Sequence, residues 1–196
     1  MAYSLNSSTD HCYEGTNCLI NKLDIRDDAT LSKIEARISF AKAAMLEDEP
    51  IQGDFGFEHF KKIHRFLFCD LYEWAGTIRT VDISKKRTRF LEAASIEGVA
   101  NRCFGRATAQ IEKKVSFDEF VSFIAELYHD INYIHPFREG NGRTQRAYFS
   151  QLIRHCGYEI DFSATDTDEL MIATVLAAQG MIDPLTDFFK GAIRKA

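Results

Sequence analysis

The stretch from His135 to Arg146, His-Pro-Phe-Arg-Glu-Gly-Asn-Gly-Arg-Thr-Gln-Arg, constrains this chain more than any other. An apolar run at helical spacing, Phe117 to Ile134, leads into it. Pro136 disfavours the α region at His135, so that helix is expected to stop there. Gly140, Asn141 and Gly142 then form a turn, and Arg143, Gln145, Arg146, Ala147, Tyr148 and Phe149 read as a second helix. The stretch therefore demands two helices joined by a tight, glycine-rich corner.

The chemistry at that corner is specific. A glycine-rich turn opening a helix leaves several backbone N–H groups unpaired at the positive end of the helix dipole, a site suited to phosphate. Arg143 and Arg146 stand three residues apart and share a helix face, so two guanidiniums flank the anion site. Glu139 would be repelled by phosphates unless a hard cation bridged them, and magnesium commonly binds through one carboxylate plus substrate phosphates. His135 is the group here whose ordinary pKa suits a general base near neutral pH. Base, metal carboxylate, phosphate cradle and two charge clamps are the parts a nucleotide-transfer site requires. Each part alone has a bland explanation, as a helix cap, a turn or a solvated face. Their order within twelve residues does not.

The stretch resembles the Fic family motif, His-x-Phe-x-Asp/Glu-Gly-Asn-Gly-Arg-x-x-Arg, and matches it at every fixed position. The resemblance extends more loosely from about Tyr13 to the C-terminus. It implies transfer of AMP from ATP to a hydroxyl side chain of a target protein. By position, His135 would deprotonate that hydroxyl and Phe137 would anchor the loop in the core. Glu139 would hold Mg2+, while Gly140, Asn141 and Gly142 would cradle the phosphates. Arg143 and Arg146 would hold the triphosphate tail, with Arg146 nearest the γ-phosphate. Doc-like members carry Lys at the position of Gly142 and transfer phosphate, so Gly142 favours AMP transfer by analogy.

The whole chain sets bounds. It has 196 residues, 45% hydrophobic and 27% charged, which is ordinary for one globular domain. A net charge of −5 argues against broad nucleic-acid binding. No window is long enough for a membrane span, and the N-terminus lacks signal-peptide features. Cys12, Cys18, Cys69, Cys103 and Cys156 are odd in number and form no Cys-x-x-Cys pair, so a cytoplasmic location is expected. Cys69 and Cys156 lie in apolar helical stretches and are expected in the core.

Taken in order, residues 1–20 read as irregular. A first helix is expected with Asp27 or Asp28 as cap and Leu31, Ile34, Ile38 and Ala41 as its buried stripe. A loop follows, then a helix from Phe57 to about Tyr72 burying Phe60, Ile63, Phe66, Leu67 and Leu71. His59 and His64 on it read as surface or packing residues. Residues 77–91 switch to β chemistry, with Val81, Ile83, Thr88 and Phe90 around the tip Ser84-Lys85-Lys86-Arg87. An isolated hairpin offers a free backbone edge to an extended partner, and the resemblance implies a flap that docks the target there. Further helices are expected over about 95–113, from the capping box Ser116/Glu119 onward, over about 167–179, and from Asp183-Pro184. The fold expected is mainly α, a single Fic-like helical bundle over residues 1–196 with a small β-hairpin flap near the active site.

Many Fic proteins are restrained by a helix of pattern Ser/Thr-x-x-x-Glu-Gly/Asn, and no segment here fits cleanly. Thr165 and Glu169 have the spacing, but Leu170 follows. The resemblance to stand-alone Fic toxins then implies a small antitoxin acting in trans, and type II topoisomerases as targets. The alternatives are phosphotransfer or transfer of another nucleotide at the same site, and a non-catalytic nucleotide-binding module. A nucleic-acid binder using the cluster from Lys85 to Arg89 is opposed by the net charge.

Overall fold

Ser116 opens the helix that leads to the motif. Its hydroxyl accepts from the Glu119 N–H at 3.3 Å, and the Glu119 carboxylate accepts from the Ser116 N–H at 2.8 Å. These two bonds satisfy donors that a helix start leaves orphaned. In a computed structural model of the chain this helix, α4, spans Phe117–Ile134. The structure describes residues 4–5, 11–85 and 88–196. Lys86 and Arg87, at the expected hairpin tip, lie outside them.

The helices are α1 (Asp28–Asp48), α2 (Phe57–Phe68), α3 (Ile96–Ile111), α4, α5 (Asn141–His155), α6 (Thr167–Ala178) and α7 (Asp183–Ala192). Helix α5, which begins inside the motif, is the central one. Thr144, Gln145, Tyr148, Phe149, Leu152 and Ile153 are buried around most of its circumference, and α1, α2 and α4 pack against it. Val121, Ile124, Ala125, Tyr128 and Ile131 of α4 are buried as their spacing predicts. Apart from Ile83 and Phe90, the buried apolar side chains form one contiguous cluster, so the motif corner rests on a single packed core.

Helix α1 corrects its expected stripe. Asp27 caps it, accepting from the Thr30 N–H at 2.7 Å. The buried residues are Leu31, Glu35, Ser39 and Leu46, whereas Ile34 and Ile38 are half-buried and Ala41 is exposed. The inward face carries a carboxylate and a hydroxyl because it meets an arginine of α5. Helix α2 ends four residues sooner than expected. Cys69 and Cys156 are only half-buried, and Cys18 and Cys103 are the buried thiols.

The β structure is small. Strands β2 (Ile83–Lys85) and β3 (Thr88–Arg89) form an antiparallel hairpin with Ser84 opposite Arg89. The N-terminal segment is not wholly irregular, since Ser4–Leu5 forms β1 and pairs with β2, Leu5 opposite Ile83. The sheet order is β1-β2-β3, so the hairpin is not isolated. A second sheet pairs β4 (Tyr158–Glu159) with β5 (Arg194–Lys195).

Candidate active site

The last turn of α4 sets the geometry of His135. Its backbone N–H closes that helix on the Ile131 carbonyl at 3.0 Å, and the residue then turns left-handed, at φ 46 and ψ 61. This conformation is costly for a residue with a Cβ and marks functional corners. His135 Nδ1 lies 3.1 Å from the Asn132 carbonyl. A carbonyl only accepts, so Nδ1 carries the proton and Nε2 is the basic nitrogen. The imidazole stacks on Phe90 at 3.7 Å between ring centroids. The arm of the hairpin thus holds the ring flat while the helix fixes its tautomer.

Behind His135 the loop is built into the core. Phe137 is fully buried, stacked between His64 at 3.7 Å and Phe60 at 5.5 Å. His64 Nε2 donates to the Glu139 carbonyl at 3.0 Å, and its Nδ1 accepts from the Gly76 N–H at 2.8 Å. Burial drives the His64 pKa down to about 3, so the ring is neutral in the fold. Asn141 closes the corner from both sides: Oδ1 accepts from the Phe137 N–H at 2.8 Å and Nδ2 donates to the Phe137 carbonyl at 2.7 Å. Its side chain serves the loop, which leaves backbone N–H groups to face an anion. Gly140 has φ +80, and a Cβ there would lie 2.4 Å from the Phe68 ring. Only glycine fits, by conformation and by space.

The first intrahelical bond of α5 runs from the Thr144 N–H to the Gly140 carbonyl at 3.0 Å. The N–H groups of Asn141, Gly142 and Arg143 precede it and point out of the helix start. A Cβ on Gly142 would meet nothing nearer than Arg146 Nη1 at 3.7 Å, so this position borders open space. The Glu139 carboxylate is 23% exposed and lies 3.4 Å from Arg143 Nη2. Among the described residues no group of three or more His, Cys, Asp or Glu is placed to hold a metal. A single partly exposed carboxylate fits magnesium that takes its remaining ligands from phosphates and water. Arg143 is tied to Glu35 and Ser39 of α1. Arg146 makes no ion pair among the described residues. Both arginines line a groove of about 1290 Å³, together with Ala36, Phe40 and Ala43 of α1 and the segment around Phe162 and Thr165.

A family model described as the Fic/DOC family matches residues 54–153. The Sinorhizobium fredii protein named "Probable protein adenylyltransferase y4lH" is 38% identical over 176 residues, covering 89% of this chain and 90% of its own. This chain belongs to the Fic/DOC family. The protein adenylyltransferase VbhT of Bartonella schoenbuchensis is 35% identical over 181 residues; the match covers 87% of this chain and 38% of VbhT. Among solved structures, the N-terminal Fic domain of a VirB-translocated Bep effector protein from Bartonella quintana, with bound ADP, is 27% identical. It superposes with a TM-score of 0.87, covering 95% of each chain.

Within this Fic fold the motif residues His135, Glu139, Gly140, Asn141, Gly142, Arg143 and Arg146 converge on one corner. Three residues outside the motif complete it and have no signal in the sequence. Arg79 is buried and donates to four backbone carbonyls, of Val81, Leu91, Ile134 and His135. Glu35 holds Arg143, and His64 holds the Glu139 carbonyl. His59 and His64, expected as surface or packing residues, are both buried, so the surface alternative falls. No apolar periodicity could point to Arg79 or Glu35, since the His135 carbonyl and Arg143 that they meet lie 56 and 108 residues away.

Proposed function

We propose that this Fic protein is a protein adenylyltransferase that moves AMP from ATP to a hydroxyl side chain of a target protein. The observation that carries this reading is the Asn132 carbonyl on His135 Nδ1, which leaves Nε2 as the base. That nitrogen stands beside a helix start with outward N–H groups and two arginines. In the reaction the target hydroxyl loses its proton to His135 Nε2 and its oxygen bonds to the α-phosphorus. The bond to the β-phosphate oxygen breaks and pyrophosphate leaves. Glu139 would hold Mg2+, which neutralises phosphate charge when bound. The outward N–H groups of residues 141–143 and the Arg146 guanidinium would take the phosphates. Relatives named adenylyltransferases and a related Fic domain with bound ADP support this reading.

Two finer elements belong to it. The target docks at the hairpin by strand addition. Because β1 already lies along β2, an incoming strand pairs with β3 or displaces Ser4–Leu5. The enzyme acts in the cytoplasm as a toxin restrained in trans by a small helical antitoxin, with a type II topoisomerase as target. The groove supports the restraint, as its lining combines several alanines and Phe40, which is 74% exposed, with charged residues that include Arg143 and Arg146.

The test uses magnesium and ATP labelled separately at the α- and γ-phosphates, in a bacterial lysate, with His135→Ala beside the wild type. A protein band carrying only the α-label, absent with the variant, is the expected result. Label from the γ-phosphate would mean phosphotransfer and overturn the role given to Gly142. Transfer undiminished in His135→Ala would overturn the role of His135.

A further inference from the structure

Arg143 is shared between two carboxylates. Its Nη2 pairs with Glu35 of α1 and also reaches Glu139 at 3.4 Å. Its Nη1 donates to Ser39 Oγ at 3.0 Å, and the guanidinium lies over the Phe68 ring at 4.8 Å. The fork geometry of arginine allows these contacts together. Glu35 is 7% exposed, and its second oxygen accepts from the Tyr72 hydroxyl. Tyr72 is itself buried and stacked on Trp74 at 4.3 Å.

The energetics rank the two carboxylates. An unpaired charge at Glu35 would be buried and unscreened, which is strongly destabilising. Glu139 is partly exposed, and its Oε1 also accepts from the Gly140 N–H at 2.8 Å, so its charge stays screened and hydrogen-bonded when Arg143 moves away. Glu35 therefore has the stronger claim on Arg143. With the charge of Glu35 removed, the nearest remaining carboxylate is Glu139, already within 3.4 Å of the same nitrogen. A guanidinium closing on Glu139 would neutralise the group that, on the adenylyltransferase reading, faces a hard cation.

We propose that Glu35 is a positioning residue that holds Arg143 against α1 and so keeps the Glu139 carboxylate available to Mg2+–nucleotide. This inference rests on the proposed function. It also assigns different duties to the two motif arginines. The charge of Arg143 is matched within the fold, and Arg146 is left to meet the charge of the phosphate tail.

The experiment is calorimetric binding of AMPPNP to the full chain across a Mg2+ series, for wild type, Glu35→Gln, Ser39→Ala and Tyr72→Phe. Glu35→Gln should raise the Mg2+ concentration for half-maximal binding about tenfold, the low end of what a hydrogen bond to a charged group is worth. Ser39→Ala, which loosens the same guanidinium without removing a charge, should shift it in the same direction by less. Tyr72→Phe should lower the unfolding temperature and leave the Mg2+ midpoint in place. An unchanged midpoint in Glu35→Gln overturns the proposal, as does an equal shift in Tyr72→Phe, which would make Glu35 merely structural. Should Glu35→Gln not fold, an unchanged midpoint in Ser39→Ala overturns it alone. A wild type that binds no AMPPNP at any Mg2+ concentration defeats the reading of the site first, and the role of Glu35 with it.

Discussion

Arg79 Nε donates to the backbone carbonyl of His135 across 2.9 Å, joining the base of the hairpin to the motif corner. The same guanidinium donates to Val81 at 2.7 Å on one hairpin arm and to Leu91 on the other. Its own backbone N–H donates to the Pro136 carbonyl at 2.8 Å. Burial draws the Arg79 pKa down to about 10, with Asp82 opposing, so the group stays charged at neutral pH. Arg79→Met should cost about 3 kcal/mol, because several buried carbonyls lose a charged donor at once. For a chain of this size that is a fall in Tm of roughly 6–12 °C. A Tm within 2 °C of wild type would show that water replaces the guanidinium without loss, contrary to its anchoring role.

His64 makes stability depend on acid. In the fold its pKa is about 3 because burial disfavours the charged ring, whereas an unfolded histidine titrates near 6.5. Between these values the unfolded chain holds one more proton, so stability is full above about pH 6.5 and falls as pH drops toward 3, by at most about 1.4 kcal/mol per pH unit. His64→Gln should be less stable at pH 8 yet show a shallower acid slope in thermal unfolding. Parallel slopes for variant and wild type would mean that His64 does not govern this window. His59, whose pKa is also lowered by burial, contributes to the slope that remains.

Two glycines with positive φ separate conformation from packing. Gly140 at φ +80 has the Phe68 ring 2.4 Å from a would-be Cβ, whereas Gly15 at φ +72 has nothing within 4 Å. Gly15→Ala should cost only the left-handed penalty, about 1–2 kcal/mol. Gly140→Ala should cost about 3 kcal/mol or more, because the loop must also move off Phe68. Equal losses in chemical denaturation would refute the steric account.

His135→Asn tests the corner itself. Asparagine tolerates the left-handed region better than histidine, so the variant should be as stable as the wild type or slightly more so. Adenylyl transfer should fall by about 10²–10⁴-fold with loss of the base. AMPPNP binding measured alongside should persist, and its disappearance would show that His135 shapes the nucleotide site rather than serving only as base.

Arg143→Lys and Arg146→Lys should part company. Lysine cannot span Glu35, Ser39 and Glu139 together. Arg143→Lys should lower stability by about 1–3 kcal/mol. Arg146→Lys, at a half-buried residue without an ion pair among the described residues, should leave Tm within about 1 °C and weaken only nucleotide binding.

Much of the corner was legible because its causes are local. Pro136 stops a helix, Ser116 and Glu119 start one, and Gly140, Asn141 and Gly142 turn the chain within a few residues of one another. The apolar stripe of α4 was legible for the same reason, since helical periodicity records a buried face. The stripe of α1 misled because periodicity reports only apolar burial. Its inward face carries Glu35 and Ser39 to meet Arg143, which is 108 residues from Glu35 along the chain.

By itself the sequence determined the helical class, the motif and the residue types gathered at its corner, each a matter of short-range sterics and chemistry. Tertiary structure alone decided what holds that chemistry in place. It sent Arg79 to the His135 carbonyl, Glu35 to Arg143 and His64 to the Glu139 carbonyl, and it laid Ser4–Leu5 along the hairpin. Those pairings follow from packing between distant segments, where a buried charge or ring nitrogen must find its partner in space. Spacing along the chain carries no record of that distance.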